Sequence, residues 1–285
     1  MGDLARGRRV KIAGELFLLL AALYLVLRWF EQHQVYHPYG AWAADGSALG
    51  QPWEDVSFAA ADGTRLSGWF FPANTNSPCD RVVILVCHGN AGNISHRLGL
   101  YAVLLETGAN VFAFDYRGYG RSAGKPGEEG TYLDAQAAHG WLRQRGFMPP
   151  NLVVYGESLG GAIGTELALR EPVGGLILQS TFTSIPEIGA ELLPWLPVRT
   201  LSTIRYDTRR KLPQVRAPVL ILHSRSDGLV SFRHAERNFA VANPPKWLVE
   251  IDGEHNVPAE VNRARIVAGI ERLVALMPGR AKDRR

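Results

Sequence analysis

The 285-residue chain is 46% hydrophobic and 20% charged, close to an average soluble domain, which excludes disordered, collagen-like and coiled-coil organisation. Its net charge of +4 is concentrated at two tips: Arg6, Arg8, Arg9 and Lys11 face only Asp3, and Arg280, Lys282, Arg284 and Arg285 face only Asp283. Everything between the tips therefore carries a net −2, which excludes the overall basic body that gripping nucleic-acid phosphates requires.

Behind the basic tail of residues 1–11, residues 12–30 are apolar, with Glu15 and Arg28 their only charged members. As a helix rising about 1.5 Å per residue, this stretch reaches roughly 28 Å, close to the hydrocarbon thickness of a bilayer. Arg28 can snorkel, and Tyr24, Trp29 and Phe30 supply interfacial rings. No small-residue cleavage site follows, so the stretch reads as a transmembrane signal-anchor rather than a cleaved signal peptide. A buried or amphipathic N-terminal helix is the plainer alternative at this length. The positive charge ahead of the helix predicts a cytoplasmic N-terminus and an extracytoplasmic, membrane-tethered body. Residues 31–50 read as a polar and aromatic linker.

The body, residues 51–279, opens with two runs, 53–58 and 65–71, that pattern as a hairpin turning through Ala61-Asp62-Gly63. Apolar β-branched runs follow at 82–86, 110–114, 152–155, 175–178, 219–223 and 247–251. Helical patterns lie at 95–106, 132–145, 159–170 and 232–241, and at 259–277 after the last run. Strands apolar on both faces and separated by helices predict a mostly parallel eight-stranded sheet, helices on both faces, with the hairpin at one edge. Cys79 and Cys87 bracket one strand, which separates them by roughly 26 Å and rules out a disulfide between them. Residues 181–216 are too long for a simple crossover and carry Pro186, Pro194, Pro197 and Pro213. They read as a small cap insertion over the carboxyl edge of the sheet, where ligands bind in open α/β folds. Its Ile185, Ile188, Leu192, Leu193, Trp195, Leu196 and Leu201 either receive an acyl chain or pack the cap on the body. The basic tail 280–285 ends the chain.

Gly156-Glu157-Ser158-Leu159-Gly160 is a G-x-S-x-G set between a strand and a helix, the context in which a strained turn lifts a serine hydroxyl above the sheet. A serine hydroxyl needs a base, and the base needs an acid to hold its tautomer. Of the histidines after Ser158, His255 lies in the loop after the last strand, level with Ser158. His223 ends a strand and reads as a packed core histidine; His234 lies inside a helix and reads as surface. The acid belongs in the loop after the penultimate strand, where Asp227 stands, with Asp252, Glu254 and Asp207 as lesser candidates. For the oxyanion, the backbone N–H groups of Leu159 and of Asn90 are the candidate donors, with Ala91 as an alternative to Asn90. His88 reads as fixing that loop, and Asp115–Ser122 as a compact turn in which Asp115 and Arg117 brace their neighbours. The Asn93-Ile94-Ser95 sequon would place sugar beside the oxyanion loop and is discounted.

Together, His88-Gly89-Asn90-Ala91-Gly92-Asn93, Asp115–Ser122, Gly156–Gly160, the Asp227 loop and His255 resemble the α/β-hydrolase superfamily over about residues 50–277. The pattern is most similar to its membrane-anchored, single-pass serine-hydrolase branch and the bacterial relatives of that branch, whose anchor and Tyr36-His37-Pro38 linker it shares. The resemblance implies the α/β-hydrolase fold, a Ser158–Asp227–His255 triad, and an oxyanion hole at Asn90 and Leu159. It also implies no cofactor or metal, and hydrolysis of acyl esters or thioesters of small molecules or lipids. A serine peptidase or an acyltransferase would use the same triad. A non-catalytic scaffold is the reading from another class, against which stand the intact serine, histidine and elbow glycines.

Overall fold

The computed structural model describes residues 2–277, and the chain divides into two units, Met1–His37 and Pro38–Arg285. In the first, helix α1 (Gly2–Val35) carries the apolar stretch and runs on past residue 30. Its segment Lys11–Val35, of mean hydropathy 1.8, is long and apolar enough to cross a membrane, and none of its most apolar window is buried. The basic tail 280–285 lies outside the described residues.

In the second unit the runs of apolar, β-branched residues form strands because such side chains pack well on both faces of a pleated sheet. These are β1 (Glu54–Ala59), β2 (Arg65–Phe71), β3 (Val83–Cys87), β4 (Asn110–Asp115), β5 (Leu152–Glu157), β6 (Gly175–Gln179), β7 (Val219–Ser224) and β8 (Lys246–Ile251). Their order is β8-β7-β6-β5-β3-β4-β2-β1. The hairpin β1–β2 sits at one edge, antiparallel to itself and to β4, and every other pairing is parallel.

Alternate residues supply the two faces. Ile84, Val86, Val111, Ala113, Val153, Tyr155, Ile177 and Leu220 pack with α2 (Leu98–Leu105) and α9 (Arg263–Ala275) through Tyr101, Leu104, Ile266, Ile270 and Leu273. On the other face lie α3 (Glu128–Gln144) and α4 (Leu159–Arg170). There Trp141 of α3 stacks on Phe112 at 4.5 Å, and Gly164 of α4 brings that helix against Val154 and Leu176. Full burial of one such side chain contributes roughly 1.5–3 kcal/mol, so both layers hold the sheet firmly.

The insertion after β6 holds α5 (Ile185–Leu192), α6 (Val198–Leu201) and α7 (Thr208–Lys211), followed by β7 and α8 (Phe232–Val241). Ser184 caps α5 by accepting the N–H of Glu187, and Asp207 caps α7 by accepting that of Arg210. Ile188 is buried, whereas Leu192 and Trp195 stand in solvent. His234, expected at the surface of its helix, is fully buried. Its Nδ1 meets the Thr183 hydroxyl at 2.8 Å and its Nε2 meets Glu191 at 3.2 Å. The cap covers a face of α8 that helical pattern alone would leave wet. Burial lowers the pKa of His234 against the opposing pull of Glu191.

Candidate active site

The carboxyl ends of β3, β5, β7 and β8 deliver the chemistry to one edge. Between β5 and α4 the chain turns so sharply that Ser158 adopts φ 51° and ψ −113°, a conformation costing an L-residue about 1–3 kcal/mol. The turn closes only because its neighbours lack side chains. A Cβ on Gly156 would lie 2.5 Å from the Gly160 carbonyl oxygen, and one on Gly161 would lie 2.6 Å from the Thr181 methyl. The Ser158 N–H donates to the Gln179 carbonyl at 2.8 Å, tying the elbow to β6.

His255 arrives on the loop after β8, which turns at Gly253 with φ 97°. Its Nε2 lies 3.1 Å from Ser158 Oγ, and its Nδ1 lies 2.7 Å from Asp227 Oδ2. Asp227 sits on the loop after β7, where its Oδ1 accepts the N–H groups of Leu229 (3.0 Å) and Val230 (2.8 Å). Burial alone would raise the Asp227 pKa. Hydrogen bonds from His223, His255 and the Val230 N–H outweigh it and hold the carboxyl well below the usual range. An ionised Asp227 accepts the Nδ1 proton of His255, leaving Nε2 as acceptor for the serine hydroxyl. The three residues singled out in sequence thus lie in one hydrogen-bonded line.

The other acids lie elsewhere. Asp252 is exposed and pairs with Arg265 at 2.6 Å, Glu254 accepts the Gly228 N–H at 3.2 Å, and Asp207 caps α7. His223 is fully buried, edge-on to Phe232, and donates from Nε2 to the Val230 carbonyl at 2.7 Å. The same nitrogen is 3.4 Å from Asp227 Oδ2, so His223 packs and also braces the Asp227 carboxylate, a contact missed in sequence. The available signal was their spacing of four residues across the end of β7.

The loop after β3 lies against the start of α4. A Cβ on Gly160 would fall 2.6 Å from the His88 carbonyl oxygen and closer still to that of Cys87. His88 Nδ1 donates to the Gly89 carbonyl at 2.7 Å. In a trans peptide the N–H points opposite to the C=O, so this bond turns the Asn90 N–H away from the His88 ring. The hydroxyls of Tyr116 and Tyr119 hold the His88 carbonyl (3.0 Å) and the Asn90 carbonyl (2.8 Å). The N–H of Leu159 is the first of α4, a position for which a helix offers no intrahelical acceptor.

Behind the loop, His88 Nε2 faces Asp115 Oδ1 at 3.6 Å, both side chains fully buried. Burial, with Arg97 adding to it, lowers the His88 pKa to about 3. Burial raises that of Asp115 to about 7, against the Ile94 N–H, Trp42 and Arg97. Asn93 is buried, with its Nδ2 donating to the carbonyls of Tyr39 (2.9 Å) and Ala41 (2.7 Å), so the sequon nitrogen is engaged within the fold. Beside His255 a cavity of about 450 Å³ is lined by Leu229, Glu254, Asn256 and Val257. Among the described residues, no group of three or more His, Cys, Asp or Glu is placed to hold a metal ion. Both cysteines are free.

A family model described as the alpha/beta hydrolase fold matches residues 82–203. An uncharacterised protein of Mycobacterium tuberculosis is 37% identical over 259 residues, covering 90% of this chain and 92% of the relative. The alpha/beta hydrolase domain-containing protein WAV2 of Arabidopsis thaliana is 36% identical over 221 residues, 70% of each chain. The lysophosphatidylserine lipase of Danio rerio is 37% identical over 186 residues, 58% of this chain and 48% of that one. Among solved structures, an esterase of Pyrococcus furiosus shares the fold with a TM-score of 0.66 at 24% identity, covering 84% of this chain and 99% of that one.

Proposed function

The chain belongs to the α/β-hydrolase family, and we propose that it is a serine hydrolase cleaving carboxylic ester or thioester bonds of acyl lipids or other acylated molecules. One observation carries the reading: the line from Ser158 Oγ through His255 to Asp227, at 3.1 and 2.7 Å, on a strained elbow.

Ser158 Oγ attacks the carbonyl carbon while its proton passes to His255 Nε2, and Asp227 stabilises the imidazolium. The N–H groups of Leu159 and Asn90 receive the oxyanion, a kind of donor typically contributing a factor of about 10²–10³ to kcat. The intermediate then collapses, and the leaving alkoxide or thiolate takes the proton from Nε2. Water, deprotonated by His255, attacks the acyl-enzyme, releasing a carboxylic acid and restoring Ser158. The lipase named among the relatives supports a lipid ester as the substrate class. A peptidase of the proline-aminopeptidase type needs a carboxylate for the substrate amine, whereas Glu187 and Glu191 of the cap already meet Arg209, Arg237 and His234.

The apolar segment of α1 supports membrane anchoring, and the basic residues ahead of it support a cytoplasmic N-terminus with the body on the far side. An alkaline phosphatase fused to the C-terminus should be active; a silent fusion reverses the orientation. For the chemistry, a fluorophosphonate probe should label the folded protein and not its Ser158→Ala variant. A folded protein that resists the probe and leaves p-nitrophenyl esters intact refutes the reading.

A further inference from the structure

The cap carries a tip that the chemistry above does not use. Trp195 is 75% exposed and Leu192 49%, on a turn stiffened by Pro194 and Pro197. Exposing a large indole in water forfeits hydrophobic stabilisation unless something covers it. The charge of the insertion that carries this tip is also distinctive. Residues 181–216 hold six Lys and Arg against three Asp and Glu, a net +3, whereas the remainder between the two basic tips carries −5. Glu187 pairs with Arg209, and Lys211 pairs with Glu166. Arg199, Arg205 and Arg210 are exposed, and among the described residues their guanidinium groups pair with no carboxylate. Within a body of net −2, a local excess of cations thus falls on the insertion that bears the bare tryptophan.

The tip also adjoins the reaction site. Glu191, the residue before Leu192, meets Ser231 Oγ at 3.4 Å and His234 at 3.2 Å. These contacts set the end of α5 beside the 227–231 loop, whose Leu229, 44% exposed, lines the cavity next to His255.

We propose that the turn 192–197 is a membrane-seating loop: Trp195 and Leu192 enter the acyl boundary of an anionic phospholipid bilayer, with Arg199, Arg205 and Arg210 on its headgroups. An indole suits the boundary between headgroups and chains, and cations are attracted to anionic phospholipid headgroups. A second copy of the chain is the poorer fit, because a stable interface buries about 800 Å² per partner and this turn offers one indole and one leucine in the open. A bilayer demands no such area when the same chain carries a helix able to span it, since tethering makes the second contact intramolecular. Seated in this way, the cavity beside His255 opens close to membrane-borne esters. This last step rests on the proposed ester hydrolysis; the seating itself does not.

The test uses the full chain reconstituted in vesicles of phosphatidylcholine, with or without phosphatidylglycerol, containing lipids brominated on their acyl chains. Subtracting the Trp195→Phe protein isolates the fluorescence of Trp195, which should be quenched, more so with phosphatidylglycerol. Equal quenching of wild type and Trp195→Phe overturns the proposal. Trp195→Ser should slow hydrolysis of a bilayer-borne ester by about tenfold and leave a water-soluble p-nitrophenyl ester unaffected. Equal slowing of both, or of neither, also overturns it. Disulfide cross-linking between copies of Trp195→Cys, without quenching in the native protein, assigns the turn to a dimer instead. Quenching of Trp195 in a protein that hydrolyses neither ester upholds the seating and counts against the proposed hydrolysis.

Discussion

Gly160→Ala tests the junction on which the proposed mechanism depends. The added methyl would sit 2.5 Å from the Cys87 carbonyl carbon and 2.6 Å from the His88 oxygen, where real Cβ atoms keep beyond 3.0 Å. Relief requires a displacement of at least about 0.5 Å, and more at the Cys87 oxygen. Neither side yields easily. β3 is the interior strand between β5 and β4, and α4 is held behind by Gly161 against Thr181 and Gly164 against Val154. Either the loop carrying Asn90 or the helix start carrying Leu159 must move. Oxyanion donors act within a window of about 2.7–3.1 Å, so a movement of that size takes one of them out of range. The expected loss in kcat is about 10²-fold, with KM little changed because the donors act in the transition state. Overpacking should also cost about 1–3 kcal/mol of stability. Steady-state hydrolysis of a p-nitrophenyl ester and thermal unfolding measure both. Gly140→Ala on α3, where a Cβ meets nothing within 4 Å, is the control and should be neutral or slightly stabilising. A folded Gly160→Ala protein with kcat near that of wild type refutes the reasoning.

Asp227→Asn should lower kcat by about 10⁴-fold through the wrong His255 tautomer, read with the same ester. Because the folded Asp227 pKa is depressed, its stabilisation is present above the ordinary value of 3.8 and is lost as pH falls below it. The difference in melting temperature between wild type and Asp227→Asn should therefore shrink in acid. Asp115 has the opposite sign. With a pKa of about 7 in the fold, its contribution is greatest below 3.8 and disappears as pH rises through 7. Melting temperatures should show wild type losing ground to Asp115→Asn across that interval, and parallel pH curves would refute it. Arg117 spans Asp134, fully buried, and Asp62, each at 2.8 Å. Arg117→Ala takes the cation from the Asp134 carboxylate, leaving it the residue-117 backbone N–H, and should cost about 3 kcal/mol in chemical unfolding, with Arg117→Lys recovering only part.

Much of this protein was legible before folding was considered. The alternation of β-branched runs and helical patterns reflects local propensity and the two-faced burial of a parallel sheet, so the sheet and its hairpin edge followed from the chain alone. So did the elbow, because glycines flanking a serine between a strand and a helix answer a local steric demand at Gly156, Gly160 and Gly161. Ser158, Asp227 and His255 could be singled out because strand ends of a parallel sheet share one edge. Other features depended on which distant segments meet. His234 looked like a surface residue of its helix until the cap covered it. His223 became a partner of Asp227 only because the end of β7 bends the chain back on itself. The approach of His88 to Asp115 brings the loop after β3 against the end of β4, and the shifted protonation of the two comes from dehydration that no residue type encodes. Charge behaved in the same way: the total and its basic tips were countable in one dimension. That Trp195 stays bare and the guanidinium groups of Arg199, Arg205 and Arg210 stay exposed was decided by folding, since exposure and pairing are properties of a surface and not of a string.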